Sequence, residues 1–416
     1  MPARSLRIVL AAIGSRGDVQ PALALAQALA ERGHVPVVAA PPNFQTWVTG
    51  LGFEFKPLGM DIQVFLQDNP EVMTGHPLKL TREVIRYLTA QWPQHVTQLA
   101  LISEGADIIV HAGIALMTGP IVAEAMRLPS LGVLYTNCLM PSSLHPPPTI
   151  RARGLPGWLN RWLWQLDHVL ANLFVRGMFN RRRASLQLAP VRNVRHYLFE
   201  QNAPVIAIDE TLFPPDPRWD GLYAYTGFLF LDDPAPLAPQ LDAWLRDGEP
   251  PVFVGFGSMS GKGIDRAGKM MLDAVSATGR RCIVGAGWGG LGAGELPDGW
   301  RVVRDAPHAL LFPRMAVVVH HGGSGTTAQA LRAGVPQVLV PLFLDQFHHA
   351  HRLHLAGLAP KPVAMEKMTP AQLAASLAAA LALPAGPRQA AAQRLRASDA
   401  RGDIVRRVEA IAGHAR

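Results

Sequence analysis

The sequence predicts an α/β protein: two doubly wound halves that face each other across a cleft. Three observations carry that reading. The chain has 416 residues, long enough for two domains of about 200 residues each. It opens strand–helix–strand over residues 7–40, and a second run of such units starts at 251, after the proline-rich Asp232-Asp-Pro-Ala-Pro-Leu-Ala-Pro239. And Val317-Val-Val-His-His-Gly-Gly-Ser-Gly-Thr-Thr-Ala-Gln-Ala-Leu331 reads as a buried strand, a glycine turn and the start of a helix.

Taken in order, residues 7–13 form a first strand closed by Gly14-Ser-Arg-Gly-Asp18, and Pro21 to Arg32 a helix with an apolar face, ended by Gly33. Strands follow at 35–40 and 53–58. Residues 61–80 read as irregular, and 81–101 as a helix broken or kinked at Pro93. A strand over 106–111 ends in His111-Ala-Gly113, then come a helix (118–126), a strand (131–135) and a proline-rich surface loop (138–157). In Trp158 to Arg183, Trp158, Trp162, Leu163, Leu166, Val169, Leu170, Leu173 and Phe174 recur at helical spacing, with Arg181-Arg-Arg183 behind them. Two readings stay open there: a core-facing helix with a solvated basic end, or an interfacial helix touching a membrane or a greasy acceptor. A strand at 204–209 and the segment 223–231 complete the first half. The second half reads as a helix (241–246), strands (251–256, 281–285, 302–303, 338–341), a helix at 269–278, and an alanine- and leucine-rich helical run over 370–412. The expected division is 1–231, a linker at 232–240, 241–395, and a C-terminal helix at 396–416.

Composition narrows the function. A formal net charge of +8 favours anionic partners: nucleoside diphosphates, anionic membrane or nucleic acid. No recognisable nucleic-acid module accompanies the charge. Two cysteines, Cys138 and Cys282, are too few for a disulfide framework or a cysteine-built zinc site, and they fit a cytoplasmic protein. The apolar run 8–13 is too short for a signal peptide, and no run reaches the ~18 residues of a membrane span. A soluble or peripheral protein is therefore expected.

The chemistry points to a phosphate. Gly322, Gly323 and Gly325 let the backbone approach a ligand, and the helix that follows offers free N–H groups and a positive dipole end. Gly14-x-x-Gly17 lacks the dinucleotide fingerprint, and Gly257-Ser-Met-Ser-Gly-Lys262 lacks P-loop spacing. No D-x-D occurs, which argues against a metal-bridged diphosphate, and no metal site is expected. The histidines crowding 348–354 have no carboxylate or cysteine support as ligands.

Four segments together resemble the UDP-glycosyltransferase superfamily of GT-B fold, two Rossmann-like domains: Gly14-Ser-Arg-Gly-Asp-Val-Gln-Pro21; Val254-Gly-Phe-Gly-Ser258; Pro307-His308 through His320-His-Gly-Gly-Ser-Gly-Thr326; and Gly334-Val-Pro-Gln through Asp345-Gln346. The pattern is most similar to the sterol glucosyltransferases, the glycopeptide-antibiotic glycosyltransferases and the rhamnosyltransferases. The resemblance implies inverting, metal-free transfer of a hexose from a UDP- or TDP-sugar, with no other cofactor, to a hydroxyl of a lipophilic molecule. It implies a donor site on Gly17, Ser258, His308, His321, Gly322, Gly323, Ser324, Gly325, Thr326, Asp345 and Gln346. Asp345 and Gln346 would hold the hexose, the glutamine being compatible with glucose. Asp18 stands where many relatives carry the basic histidine, and His111 near the place of their orienting aspartate. A swapped Asp18–His111 pair is one reading, a packed strand-end histidine the other. Met73, Met117, Met140 and Trp158 are candidate acceptor-pocket residues. Asp305 and Gln329 stand where plant-type relatives carry a uracil-stacking tryptophan and a ribose-binding glutamate, so uridine versus thymidine stays open. A nucleotide-sugar epimerase on the same fold is the alternative enzyme. Peripheral contact with an anionic membrane is a further expectation.

Overall fold

A computed structural model of the protein describes residues 4–61, 63–64, 77–232, 235–257, 262–287, 291, 296–304, 306–342 and 344–414. Two all-parallel sheets dominate it. The first orders its strands β3-β2-β1-β4-β5-β6: β1 (Arg7–Ile13), β2 (Val35–Ala40), β3 (Glu54–Pro57), β4 (Ile108–Gly113), β5 (Ser130–Leu134) and β6 (Val205–Ile206). The second runs β11-β10-β7-β8-β9: β7 (Val252–Gly255), β8 (Cys282–Gly285), β9 (Arg301–Val303), β10 (Val317–His320) and β11 (Gln337–Leu339). Strand order reverses between β1 and β4 in the first sheet and between β7 and β10 in the second. Parallel sheets open a crevice at the carboxyl ends of the strands at such a reversal. Asp18 follows β1 and the glycine turn follows β10, so both candidate centres lie at these crevices.

The central strands are continuous apolar runs because helices cover both faces. Val9, Val37 and Ile109 pack against Trp92 and Ile121 on one side, while Leu10, Val38 and Val110 pack against Val19 and Leu23 on the other. Among the described residues the α-helices of six residues or more are α1 (Arg16–Glu31), α2 (Gln45–Gly50), α3 (Pro77–Ile102), α4 (Gly119–Met126), α5 (Gly157–Ser185), α6 (Pro239–Arg246), α7 (Lys262–Ser276), α8 (Ser324–Ala333), α9 (Asp345–Leu355), α10 (Pro370–Ala382), α11 (Ala385–Ala397) and α12 (Ala400–His414). The last of them returns to the first sheet. Ile404, Val405 and Val408 enter its core, and Glu409 accepts hydrogen bonds from Arg32 at 2.9 Å.

Three boundaries differ from the sequence reading. Helix α1 starts at Arg16 rather than Pro21, because Ser15 and Asp18 form a reciprocal capping box ahead of the proline. Helix α3 starts at Pro77 rather than Thr81 and is not broken at Pro93, which lies inside it. The run 370–412 is three helices, interrupted at Leu383-Pro384 and Ser398-Asp399. The expected irregular stretch 61–80 falls largely outside the described residues.

Candidate functional site

On the first domain, the capping box that starts α1 also fixes Asp18. Its Oδ2 accepts the Ser15 N–H at 2.8 Å. The carboxylate nests against two glycines at the ends of β1 and β4. At Gly113, held at φ 61, a Cβ would come within 2.3 Å of the Ile13 carbonyl and 2.9 Å of Asp18 Oδ1. Only glycine leaves the carboxylate that place. Burial pushes the Asp18 pKa up to about 6; the Ser15 amide pulls it down, and the charge of Asp345 raises it further. Gly17 is in the same turn, with its N–H donated to Ser15 Oγ at 3.3 Å.

The structure does not bring His111 to Asp18. Strand side chains alternate, so His111 shares the face of Ile109, which packs on α4, whereas α1 covers the opposite face with Val110. A Cβ on Gly119 would lie 2.4 Å from the His111 ring, which shows how closely α4 covers it. Both ring nitrogens are buried with no hydrogen-bond partner, and burial pushes the pKa down to about 3. The expected Asp18–His111 pair is absent from the geometry, which matches the other reading of a packed strand-end histidine.

On the second domain, β10 delivers two histidines with separate jobs. His320 is fully buried; its Nδ1 accepts the Gly322 N–H at 3.1 Å, so its Nε2–H donates to Gln337 Oε1 at 2.9 Å. That ring builds the turn. His321 leans over Gly323, where a Cβ would meet its Nε2 at 2.5 Å, and its Cε1 lies 3.6 Å from a Cβ position on Gly257 at the tip of β7. Its Nδ1 is buried without a hydrogen-bond partner. Burial, then the neighbouring His320 and His349, push its pKa down to about 3, so it is a neutral donor or acceptor at rest rather than a fixed positive charge. Gly322 is also committed: its N–H goes to His320 and its carbonyl accepts His349 Nδ1–H at 2.8 Å. The part of the turn with uncommitted amides therefore begins at Gly323. Gly323 caps α8 with no side-chain hydrogen bond, so the first-turn amides of Ser324, Gly325 and Thr326 face outward without intrahelical partners.

Asp345 begins α9 after Leu344, which is held at φ 51 and ψ −126, a strained setting for leucine. Its carboxylate is half-buried, 3.8 Å from His349 Nδ1, and close enough to Asp18 to raise that residue's pKa. Gln346, expected beside it as a sugar ligand, is buried, and its Oε1 accepts the Leu342 N–H at 2.9 Å. His308 stacks on Phe312 at 4.3 Å and lines a cavity shared with Arg16, Gln20 and Leu231 of the first half and Gln329 of the second. The carbonyl oxygen of the Gln329 side chain is buried there without a partner.

Tyr135, Thr136 and Asn137, through which the first half meets the second, were not singled out from sequence. Ser324 Oγ donates to the Tyr135 carbonyl at 2.7 Å; His349 Nε2 accepts from Thr136 Oγ1 at 3.2 Å; His348 Nε2 donates to Asn137 Oδ1 at 2.8 Å. Residues 135–137 thus clamp both the glycine turn and α9. Their position just after β5 was the available signal. Of the expected acceptor residues, Met140 is fully buried in the core shared by the two halves, Met117 is half-buried in the first core, and Trp158 is 64% exposed on α5. They do not form one pocket. Met73, Ser258 and Asp305 lie outside the described residues.

Comparisons with known proteins agree with this geometry. Residues 8–138 match the model of the glycosyltransferase family 28 N-terminal domain, and 270–409 that of the erythromycin biosynthesis protein CIII-like C-terminal domain. A sterol 3-beta-glucosyltransferase of Arabidopsis thaliana is 31% identical over 393 residues, covering 89% of this chain and 62% of that protein, so the chain spans less than two thirds of that relative. The vancomycin aglycone glucosyltransferase of Amycolatopsis orientalis is 32% identical over 384 residues and covered over 90% of both chains. In fold, the chain is similar to the glycosyltransferase VinC in complex with dTDP, with a TM-score of 0.70 at 20% identity, covering 98% of this chain and 100% of that one.

Proposed function

The chain belongs to the UDP-glycosyltransferase superfamily of GT-B enzymes, and from that premise we propose that it transfers a hexose, with inversion and without a metal, from a nucleoside diphosphate sugar to a hydroxyl of a lipophilic small molecule. UDP-glucose is the donor we favour, since the sterol and vancomycin relatives are named glucosyltransferases. A TDP-sugar is the second reading, supported by the dTDP complex of a protein of like fold. A sterol-like or aglycone-like acceptor follows from the same relatives.

The observation that carries the reading is the pairing of two edges. The unpartnered His321 Nδ1 and the free amides of Ser324, Gly325 and Thr326 face the cleft from one side. Asp18 meets them from the other, within electrostatic reach of Asp345. In this arrangement Asp18 takes the proton from the acceptor hydroxyl as the oxygen attacks the anomeric carbon. Negative charge then grows on the departing diphosphate. The first-turn amides, the end of α8 and a hydrogen bond from neutral His321 receive it. Asp345 binds sugar hydroxyls, and Arg16, Gln20, His308 and Gln329 line the place for the nucleoside.

A thermal-shift and donor-hydrolysis screen with UDP- and TDP-sugars tests this directly. We expect one nucleotide class to raise Tm, by the linkage of about 2.7 kcal/mol at a hundredfold excess over Kd, with no change on adding EDTA. Failure of every nucleotide sugar to stabilise the protein would sink the proposal.

A further inference from the structure

Helix α5 turns its apolar stripe away from the protein. Leu173, Trp158, Phe174 and Trp162 are 70%, 64%, 62% and 57% exposed, and Leu166 and Leu170 are 42% exposed. They follow one another at steps of three, four and one residues, which keeps them on one side of the helix. The exposure does not come from a loosely held segment. On the inner side, Trp164 Nε1 donates to the His145 carbonyl at 2.9 Å, Asn160 Nδ2 donates to the Ser143 carbonyl at 2.9 Å, and Phe179 packs on Trp92 at 5.4 Å. Soluble surfaces rarely leave such a continuous apolar band in water.

The charge on this helix is one-sided. Arg161, Arg176 and Arg181 are exposed beside the stripe. Asp167 is the helix's sole carboxylate, and it pairs with Arg195 at 3.4 Å rather than joining the outer face. Among the described residues no helix is long and apolar enough to cross a membrane. An apolar band with tryptophans at one end and arginines along its rim has the chemistry of a helix lying flat in the headgroup region of an anionic bilayer. A second copy fits less well. Two such faces brought together would set arginine against arginine, with no carboxylate from this helix to meet them.

We propose that the outer face of α5 docks the protein on an anionic lipid bilayer. The docking has a consequence for the cleft. The first turns of α5 hold the loop at Ser143–His145, and the His145 ring lies 4.6 Å from His348 of the second half. A bilayer under α5 therefore sits beside the seam between the domains, where a lipophilic acceptor dissolved in the membrane can enter. This consequence rests on the glycosyl-transfer reading above; the docking itself does not.

Flotation of the full chain with phosphatidylcholine vesicles, with and without phosphatidylglycerol, tests it in the absence of sugar or acceptor. We expect partitioning to be roughly 10- to 100-fold stronger on the anionic vesicles. The combined variant Trp158→Ser, Trp162→Ser, Leu173→Ser, Phe174→Ser should lose at least ~10-fold of it while keeping the wild-type Tm, because these side chains are exposed. Brominated lipids should quench tryptophan fluorescence in the wild type and much less in Trp158→Phe, Trp162→Phe. Absence of vesicle binding, or binding the serine variant leaves intact, would overturn the proposal. So would a dimer in sedimentation velocity that the serine variant dissolves, since the face would then belong to a second copy. Vesicle binding without any nucleotide-sugar response would leave the docking standing and remove the transfer reading.

Discussion

Asp18→Asn is expected to lower kcat by about 10²- to 10⁴-fold, the usual worth of a positioned general base, and at the same time to raise Tm at neutral pH. The second half of that result comes from linkage. Burial raises the folded-state pKa of Asp18 to about 6, above the ~3.9 of an unfolded aspartate. The stability tied to its protonated form is fully present below the unfolded value and is lost as pH climbs through the folded one. At pH 7.5 the wild type therefore carries an ionised carboxylate in a place that disfavours it, a cost on the order of 2–3 kcal/mol. Asparagine removes the charge and keeps the oxygen that accepts the Ser15 N–H. The variant should melt higher than wild type at pH 7.5 and level with it at pH 4. In the wild type, kcat/KM should fall with a single-proton limb near pH 6 as Asp18 protonates. A variant that loses both activity and stability at pH 7.5 would make Asp18 a structural anchor and not a base.

The second large effect is expected at His321. Replacing it with alanine should cost about 10²- to 10³-fold in kcat, as for other single donors to a developing anion, and should shrink the Tm rise produced by the cognate nucleotide. Because burial holds this ring neutral down to about pH 3, its contribution is a hydrogen bond and not a fixed charge. His321→Asn, which keeps a side-chain donor, should recover part of the loss. The acid limb near pH 6 should survive in both variants, since it belongs to Asp18. Disappearance of that limb in His321→Ala would transfer the titration to the histidine and contradict this assignment.

The two edges of the cleft were readable because each rests on a local rule. Fully buried parallel strands leave unbroken apolar runs such as Ile8–Ile13 and Val317–Val319, and the glycine turn at 322–325 announces the close approach of a ligand. Two doubly wound halves followed from the order of those units, and the GT-B fold from the resemblance that the four motif segments carry. What sequence missed falls into two kinds. Some was present but misread. Ser15-x-x-Asp18 is a capping box, and Pro21 drew attention away from the true helix start. His111 is the packed strand-end residue that one of the two sequence readings offered: it shares the α4-covered face of Ile109. The rest has no local signature. Gln346 folding back onto Leu342, Met140 packing in the shared core, and His348 and His349 reaching Asn137 and Thr136 depend on how the two halves meet. The outward stripe of α5 is of the same kind: its spacing says helix, and only packing decides which side is covered.

The central claim is direct displacement at the anomeric carbon, with Asp18 opposite a metal-free diphosphate site. The proton NMR spectrum of the first product formed from an α-linked nucleoside diphosphate glucose, in the presence of EDTA, tests it most directly. The account predicts a β-configured product with the large H1–H2 coupling of that anomer, formed at the same rate with and without chelator. An α-configured product, or a rate that EDTA abolishes, would contradict it.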